Sequence, residues 1–249
     1  MPYLRGNKIR SIVLDLDGTL YPESNEHLAC GAWMRRIDTY LNKHIPSASS
    51  NQSFKRAKEK FSRERKISGL IVEACKTFGI PLKPFAEYVY DIKPKDAKLG
   101  KDIKLCEALS MASNDHDLYL FTNSYTNWVE NALHSIGASD VFPRRAITDF
   151  SDLGFNIKPS QESFRVLLKR AGCGKEGIVL LDNSISNVRA AMEFGISSRL
   201  VRNKGRNGTS HLCEILKSCS SRMLLSVCRA LLSLRRCSSG WRSCTAPAL

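Results

Sequence analysis

Short apolar segments recur along the chain, and polar residues follow each of them. The first runs from Ile9 to Leu16, and later ones lie at Leu118–Phe121, Ile178–Leu181 and Arg199–Val201. Apolar runs of roughly 4–8 residues bounded by turn-forming residues are typical of buried β-strands. The pattern therefore predicts strands at these positions, with polar residues at their carboxyl ends.

Amphipathic segments with the spacing of a helix lie between the later strands. They span Trp128–Ile136, Gln161–Ala171 and Asn187–Phe194, and a glycine directly follows each one. Because glycine readily adopts the left-handed conformation that ends a helix, these glycines predict the helix C-termini. Strands that alternate with helices predict a doubly wound α/β fold, in which helices cover both faces of a parallel sheet.

The stretch between the first and second predicted strands does not alternate in this way. Its apolar residues recur at helical spacing, so we expect them to pack in a core of their own. The candidate helices are Glu26–Lys43, Ser53–Phe78, Pro84–Tyr90 and Lys98–Ala112. We predict that residues 24–112 form a helical cap inserted into a core made of residues 1–23 and 113–216.

From residue 217 onward the composition changes, and Ser, Arg and Cys become frequent. Leu224, Val227, Leu231 and Leu234 follow helical spacing, so one interpretation is a basic amphipathic helix for a membrane surface or a partner. The alternatives are a poorly ordered extension, or a terminus altered by splicing or by a shifted reading frame. We favour these alternatives and assign residues 217–249 no function.

Composition narrows the class of protein. With 249 residues, 43% of them apolar, the chain can bury a real core, so global disorder is excluded. No stretch approaches the roughly 20 apolar residues of a membrane-spanning helix, and Met1–Arg10 lacks the apolar run of a signal peptide. We expect a cytoplasmic protein, with the nucleus as an alternative compartment. The nine cysteines form no Cys-x-x-Cys pair, so we expect reduced thiols and no zinc site.

The formal charge of +14 suggests nucleic-acid binding as a hypothesis. The positive charges are spread out, however, and acidic Glu59 and Glu64 interrupt the basic segment Lys55–Lys66. Within this segment Phe61 is the one aromatic residue, so no series of aromatic residues interleaves with the basic ones as a base-stacking surface would require. We therefore expect no stable nucleic-acid binding, and a small anionic substrate as the partner.

Polar side chains at the strand ends carry the candidate chemistry. Asp15 and Asp17 follow the first strand, Thr122 the second and Asp182 the third. Ligands of parallel sheets bind beyond the carboxyl ends of the strands, so these residues are expected to meet. The carboxylates of Asp15 and Asp17 lie two positions apart in the sequence. Because the chain is expected to curve at Gly18, both can face one pocket.

This set of side chains suits phosphoryl transfer. One carboxylate, Asp15 or Asp17, can attack phosphorus, while the other protonates the leaving group and later activates water. Adjacent carboxylates repel unless a cation lies between them, and Mg²⁺ is the oxygen-binding cation that also binds phosphate. The hydroxyl of Thr122 and the ammonium of Lys158 can bind the phosphate.

Each of these segments also has a purely structural interpretation. Asp-Gly-Thr at residues 17–19 could be a turn, Lys158-Pro159 a surface turn, and Thr122-Asn123 and Asp182-Asn183-Ser184 helix caps. Their joint occurrence in this order, with three of them at strand ends, favours a phosphoryl-transfer site.

These segments resemble the four motifs of the haloacid dehalogenase (HAD) superfamily. The first is Asp15-Leu16-Asp17-Gly18-Thr19-Leu20-Tyr21, the second Leu120–Asn123, the third Lys158-Pro159 with Phe164, and the fourth Leu181–Ser184 with Asn187. The resemblance extends from Ile9 to about Leu216. It implies a Rossmann-like core with an inserted helical cap and phosphomonoester hydrolysis through an aspartyl-phosphate intermediate.

The resemblance also implies roles for individual residues. Asp15 would be the nucleophile and Asp17 the general acid and base. Thr122, Asn123 and Lys158 would bind the phosphate of the substrate.

A Mg²⁺ site is implied as well, made by Asp15, Asp17, Asp182 and Asn183, with the backbone carbonyl of Asp17 as one ligand. The second position of the fourth motif is usually an acid, and here it is Asn183. An amide oxygen can bind a metal but brings no charge. We therefore expect a weakened metal site, with catalysis slowed or lost.

Within the superfamily, the chain is most similar to the pyrimidine 5′-nucleotidase group. The shared features are the pattern Leu-Phe-Thr-Asn-x-Tyr-x-Asn at Leu120–Asn127, the tyrosine Tyr21 after the first motif, and the pair Gly69-Leu70 in the cap. This likeness implies a nucleoside 5′-monophosphate as the substrate.

Three other functions stay open. A dehalogenase needs no metal and typically lacks an acid two residues after its nucleophile, so Asp17 argues against it. A phosphomutase shares all of this chemistry and would differ only in its cap. Asn183 prompts the third alternative, a catalytically weakened phosphate-binding or regulatory protein.

Overall fold

The computed structural model describes residues 3–4, 7–64, 66–203 and 209–220. Its strands are β1 (Tyr3–Leu4), β2 (Asn7–Lys8), β3 (Ser11–Leu14), β4 (Asp117–Phe121), β5 (Ile147–Thr148), β6 (Ile178–Asp182) and β7 (Ser197–Leu200). Its helices are α1 (Glu23–His44), α2 (Gln52–Glu64), α3 (Ile67–Phe78), α4 (Leu82–Tyr90), α5 (Ile103–Ser113), α6 (Thr126–Ile136), α7 (Phe150–Leu153), α8 (Gln161–Ala171), α9 (Ile185–Phe194) and α10 (Ser210–Ser220).

The main sheet has the order β5-β4-β3-β6-β7, and every neighbouring pair in it is parallel. Strand β3 is central, and its residue Leu14 is in register with Leu120 of β4 and Leu181 of β6. The carboxyl ends of these three strands therefore lie side by side. The predicted parallel sheet is confirmed. The edge strand β5 was not predicted, because two residues are too few to form a recognisable apolar run.

Helices cover both faces of the sheet, as the alternating pattern predicted. Val13 points to one face, where it belongs to a hydrophobic cluster with residues of α8 and α9. Its neighbours Ile12 and Leu14 point to the other face and cluster with residues of α5, α6 and α10. This alternation along β3 follows from the two-residue period of a strand. Because helices cover both faces, the central strands β3 and β6 are almost continuously apolar.

The predicted glycine caps are confirmed. Gly137, Gly172 and Gly195 end α6, α8 and α9, with φ angles of 81°, 61° and 96°. A residue with a Cβ is strained in this left-handed conformation, whereas glycine is not. These residues therefore set where the crossover helices stop.

Helices α1 to α4, which we call the helical block, lie between β3 and β4 and pack on one another. The single helix predicted over Ser53–Phe78 is wrong, because the chain turns between α2 and α3. The backbone N–H of Lys66 donates to the carbonyl of Phe61 at this turn. The turn folds the Phe61 ring back onto Gly69, where a Cβ would come within 2.7 Å of the ring. No helix in the described residues is long and apolar enough to cross a bilayer.

Helix α5 packs mainly outside the helical block. It packs against α10 and β4, so its apolar residues cover the sheet. The domain boundary expected at residue 112 stays a prediction, and this packing favours a boundary before α5. Helix α10 continues to Ser220 and so includes the first four residues of the expected tail. The rest of that tail, residues 221–249, lies outside the described residues.

Candidate active site

Asp15 lies directly beyond the end of β3, where its backbone N–H donates to the carbonyl of Leu181 on β6 at 3.0 Å. Its carboxylate is almost fully buried, and the two oxygens have separate partners. The Thr19 hydroxyl donates to Oδ2 at 3.1 Å, and the Lys158 ammonium donates to Oδ1 at 2.7 Å. The central strand therefore ends in a carboxylate that is held in one orientation.

Lys158 is a buried cation that links the ends of all three central strands. Its Nζ donates to Asp15 at 2.7 Å, to Asp182 at 2.8 Å and to the backbone carbonyl of Phe121 at 2.6 Å. Asn123 holds the backbone of Lys158 from both sides, accepting from its N–H at 2.8 Å and donating to its carbonyl at 3.0 Å. Asn123 thus positions Lys158 through its backbone.

Burial and the charge of the ion-pair partner act in opposite directions on the pKa of Asp15 and on the pKa of Lys158. Desolvation raises the pKa of Asp15 to about 7, although the positive charge of Lys158 opposes the rise. Desolvation alone would lower the pKa of Lys158, but the carboxylates of Asp15 and Asp182 outweigh it, so the pKa is raised. Lys158 is therefore a permanent cation. Asp15 needs further positive charge nearby to stay ionised at neutral pH.

Asp17 is surrounded by neutral hydrogen-bond donors. Ser124 donates to Oδ2 at 2.6 Å and Thr122 to the same atom at 3.4 Å. The Trp128 indole N–H donates to Oδ1 at 3.0 Å, and the Tyr21 hydroxyl donates to that atom too. Burial and Asp17 raise the pKa of Tyr21 well above its usual value, so Tyr21 keeps its proton. Neutral donors therefore hold Asp17 without a direct ion pair to Lys158.

The fourth motif adds a carboxylate below the site and an amide beside it. Asp182 is fully buried, and Asn187 Nδ2 donates to both of its oxygens at 3.1 and 3.0 Å. The Asn183 side chain turns the other way and donates to Glu26 Oε2 at 3.3 Å. Both groups crowd Gly18, where a Cβ would come within 2.1 Å of Asn183 and 2.4 Å of Glu26. Glycine is therefore required there, and its φ is +74°.

A cavity of about 430 Å³ opens above these groups. Asp15, Asp17, Asn123 and Lys158 line its floor, and residues of the helical block form its walls. Small-molecule sites usually enclose about 300–1,000 Å³. The cavity is therefore large enough for a substrate with a phosphate at the floor and its alcohol part against the helical block.

The structure brings the predicted residues together, but not all of them face the cavity. Thr122 is fully buried, and its hydroxyl is directed at Asp17 and at the backbone N–H of Ser124. Asp182 lies beneath Lys158. The phosphate-binding role of Thr122 stays a prediction.

Four further residues belong to the site, although the motif pattern does not mark their roles. Thr19 orients Asp15, Ser124 and Trp128 hold Asp17, and Glu26 meets Asn183. Thr19 and Ser124 stand within or next to the motifs, so their position in the sequence could have suggested them. Trp128 and Glu26 lie on helices whose orientation over the site only the tertiary structure gives.

A family model of the haloacid dehalogenase-like hydrolases matches residues 9–195. The chain belongs to the haloacid dehalogenase-like hydrolase family. The matched residues include strands β3 to β6, the helical block and every residue of the site described above. A search of curated protein sequences found no match.

Solved structures of other haloacid dehalogenase-like proteins share the fold. The HAD-hydrolase YfnB from Bacillus subtilis bound to magnesium is 17% identical, with a TM-score of 0.50 over 84% of this chain and 99% of that one. CbbY from Rhodobacter sphaeroides in complex with phosphate is 16% identical, with a TM-score of 0.53 over 79% and 87%. The L-2-haloacid dehalogenase RSc1362 is 14% identical, with a TM-score of 0.51 over 85% and 100%. At these identities the likenesses show the fold.

The donor set of this hydrolase can be compared with what Mg²⁺ requires. No three His, Cys, Asp or Glu side chains converge as metal ligands within the described ranges. Mg²⁺ is usually held by only one or two carboxylates, completed by water and substrate phosphate. Asp15 and Asp182 supply two carboxylates, both within 2.8 Å of one ammonium, and the backbone carbonyl of Asp17 is a further oxygen donor. The chemistry of these donors fits Mg²⁺ with the substrate phosphate completing the shell.

Replacing Asp15 with asparagine is expected to stabilise the metal-free protein at alkaline pH. The folded-state pKa of Asp15 is raised from 3.8 to about 7, so ionising it costs stability as pH rises between these values. Each pKa unit corresponds to about 1.4 kcal/mol. Urea unfolding in EDTA should show a gain of a few kcal/mol for Asp15→Asn at pH 8 that shrinks toward pH 4. An equal gain at both pH values would contradict the argument.

Replacing Asn183 with aspartate is expected to do more than restore an acidic motif. The new carboxylate would lose the hydrogen bond to Glu26 and face it as a like charge, costing about 1–3 kcal/mol in EDTA. Added Mg²⁺ should then stabilise Asn183→Asp more than the wild type, measured as the shift in Tm. The double variant Glu26→Gln with Asn183→Asp places the amide at position 26 and the carboxylate at position 183. It should recover the stability in EDTA. If Mg²⁺ raises the Tm of the wild type, of Asn183→Asp and of the double variant equally, residue 183 does not bind the metal.

Proposed function

We propose that this protein hydrolyses phosphate monoesters with Mg²⁺, through a phosphoryl group carried on Asp15. The observation that supports it most is the floor of the cavity. There the buried Asp15 carboxylate lies 2.7 Å from the Lys158 ammonium, and a second carboxylate, Asp17, lines the same cavity. A nucleophile, a fixed cation and an acid–base group are what in-line phosphoryl transfer requires.

In the first step, an oxygen of Asp15 attacks phosphorus and the bond to the leaving alcohol oxygen breaks. Asp17 donates a proton to the leaving alcohol oxygen. In the second step, Asp17 takes a proton from water as the water oxygen attacks phosphorus, and the Asp15–phosphorus bond breaks to release inorganic phosphate. Lys158 stays beside the Asp15 oxygen and offsets negative charge on the transferring group.

The surroundings of Asp17 suit a group that changes protonation state. Ser124, Thr122 and Tyr21 offer hydroxyls, which can rotate to donate or to accept. Asp17 can therefore be held by the same partners as carboxylate and as carboxylic acid. The indole of Trp128 can only donate, and its N–H donates to Oδ1 of Asp17.

Asp15, Asp182 and the backbone carbonyl of Asp17 would hold Mg²⁺, which supplies positive charge against the phosphate when it is bound. The raised pKa of Asp15 supports this, because a cation beside the carboxylate would return it to the ionised form. The magnesium in the YfnB structure and the phosphate in the CbbY structure agree with the two ligands proposed here.

We propose that the substrate is a small phosphorylated metabolite. Pyrimidine nucleoside 5′-monophosphates are the first candidates. Two features support this class: the likeness in the Leu120–Asn127 pattern and at Tyr21, and a cavity larger than phosphate alone would fill. We keep the sequence-based expectation of a cytoplasmic protein that does not bind nucleic acid stably.

The test is a screen of phosphate release from nucleotides and sugar phosphates, with Mg²⁺ and with EDTA, using Asp15→Asn as the inactive control. Mg²⁺-dependent release that Asp15→Asn lacks is expected. Chloride release from 2-chloropropionate in the same screen would support a dehalogenase instead. Transfer of phosphate between positions of a sugar, without release, would support a mutase.

Asn183 supports one further candidate, a regulatory protein that binds phosphate esters without turning them over. This side chain contributes no charge and is already hydrogen bonded to Glu26. Calorimetric binding of a nucleotide without any release of phosphate would favour this second candidate.

A further inference from the structure

The indole N–H of Trp33 is buried without a hydrogen-bond partner. Trp33 is 2% exposed, and its Nε1 meets no acceptor in the part of the chain that the structure describes. Buried tryptophan N–H groups usually have a partner, because an unpaired buried donor is destabilising. An unsatisfied donor of this kind therefore points to a missing acceptor.

Trp33 stands in the wall of the active-site cavity, on α1 of the helical block. Its ring lies 5.3 Å from that of Trp128, edge to face, and 5.0 Å from that of Tyr90. Trp128 in turn donates to Asp17. Trp128 thus links Trp33 to the acid–base residue, while Trp33 and Tyr90 themselves line the cavity.

Part of this wall is apolar and part of it is charged. Phe61, Ile67, Gly69 and Val72 form the apolar part, and the Phe61 ring contacts Gly69. The charged part includes residues of both signs, and Lys66 and Glu64 form an ion pair at 2.9 Å within it. The apolar part of the wall suits an uncharged, flat group.

We propose that Trp33 recognises the leaving group of the substrate. Its Nε1–H donates to a carbonyl oxygen or ring nitrogen of a planar ring, which the neighbouring aromatic rings contact. This inference rests on the proposed phosphatase function and narrows its substrates to esters of alcohols that carry such a ring. Because the nitrogen is covered in the structure, the acceptor reaches it by a local shift of the wall.

The test compares two phosphate esters in two variants. Uridine 5′-monophosphate carries a ring with carbonyl acceptors, whereas benzyl phosphate carries a ring without any. Trp33→Phe removes the N–H and keeps an aromatic ring. Tyr88→Phe removes a polar atom from a helical-block ring that does not line the cavity, and it is the control.

We expect Trp33→Phe to lower the ratio of kcat/KM for uridine 5′-monophosphate to that for benzyl phosphate by roughly tenfold, the effect of one hydrogen bond. The change should lie mainly in KM. The ratio is measured within one protein, so a loss of folded protein does not alter it. An unchanged ratio, or the same change in Tyr88→Phe, would overturn the inference.

Failure of the proposed function is a separate outcome. If the wild type hydrolyses neither ester, calorimetric titration of both compounds in EDTA decides the matter. A roughly tenfold weaker affinity of Trp33→Phe for uridine 5′-monophosphate, relative to benzyl phosphate, would support the role of Trp33 without catalysis. Equal losses for both compounds would refute it.

Discussion

Replacing Asp15 with asparagine is expected to abolish phosphate release, lowering kcat on the order of 10⁴-fold or more. Asparagine can accept the hydrogen bond from Lys158, yet its amide cannot attack phosphorus to form an acyl phosphate. The substitution keeps the size of the side chain, and we expect the metal-free protein to gain stability at alkaline pH. Loss of folded protein is therefore not the expected cause of the loss of activity. Phosphate release and acid-quench trapping of labelled phosphoprotein measure the two consequences.

The matched control for this experiment is Asp115→Asn. Asp115 is exposed in the turn between α5 and β4, at the end of the sheet away from the site. It should keep wild-type turnover and wild-type labelling. Turnover retained by Asp15→Asn, or a labelled phosphoprotein in that variant, would show that another residue is the nucleophile.

Replacing Lys158 with methionine is expected to destabilise the fold as well as to stop turnover. Lys158 is 3% exposed and donates to two carboxylates and a carbonyl. Removing one partner of a buried ion pair costs roughly 3–5 kcal/mol, because the other charge stays buried without compensation. Urea unfolding at pH 8 in EDTA measures this loss.

The loss of stability in Lys158→Met should be smaller at lower pH. Without the ammonium, the pKa of Asp15 rises further above about 7, so at pH 5.5 this carboxyl group is protonated and no longer leaves a buried charge. The destabilisation by Lys158→Met is therefore smaller at pH 5.5 than at pH 8. The double variant with Asp15→Asn should recover part of the stability at pH 8.

Lys169→Met serves as the control, because Lys169 is exposed on α8 and makes no contact with the site. It should leave the free energy of unfolding within about 0.5 kcal/mol of the wild type. A Lys158→Met protein that is as stable at pH 8 as at pH 5.5 would show that the carboxylates are not coupled to this lysine.

Local patterns were sufficient for most of the fold. The glycine after each crossover helix predicted where α6, α8 and α9 end, because the left-handed cap depends on one residue and its neighbours. The apolar runs predicted β3, β4 and β6, because a strand buried on both faces needs apolar residues. The edge strand β7 is only partly buried, and the run at Arg199–Val201 overlapped only its last two residues. Where the pattern failed, tertiary contacts decided. Strand β5 is held by pairing with β4, and the turn between α2 and α3 allows Phe61 to pack on Gly69.

The sequence by itself determined which groups carry the chemistry. Asp15, Thr122 and Asp182 could be proposed to meet, because parallel strands bring their carboxyl ends to one edge whatever the loops do. Lys158 follows no strand, and only its motif pointed to the site. Only the tertiary structure decided what surrounds them. The donors to Asp17, the contact of Glu26 with Asn183, and the unpaired N–H of Trp33 depend on how α1 and α6 lie over the sheet. That orientation results from packing among many side chains distant in sequence, so no local motif records it.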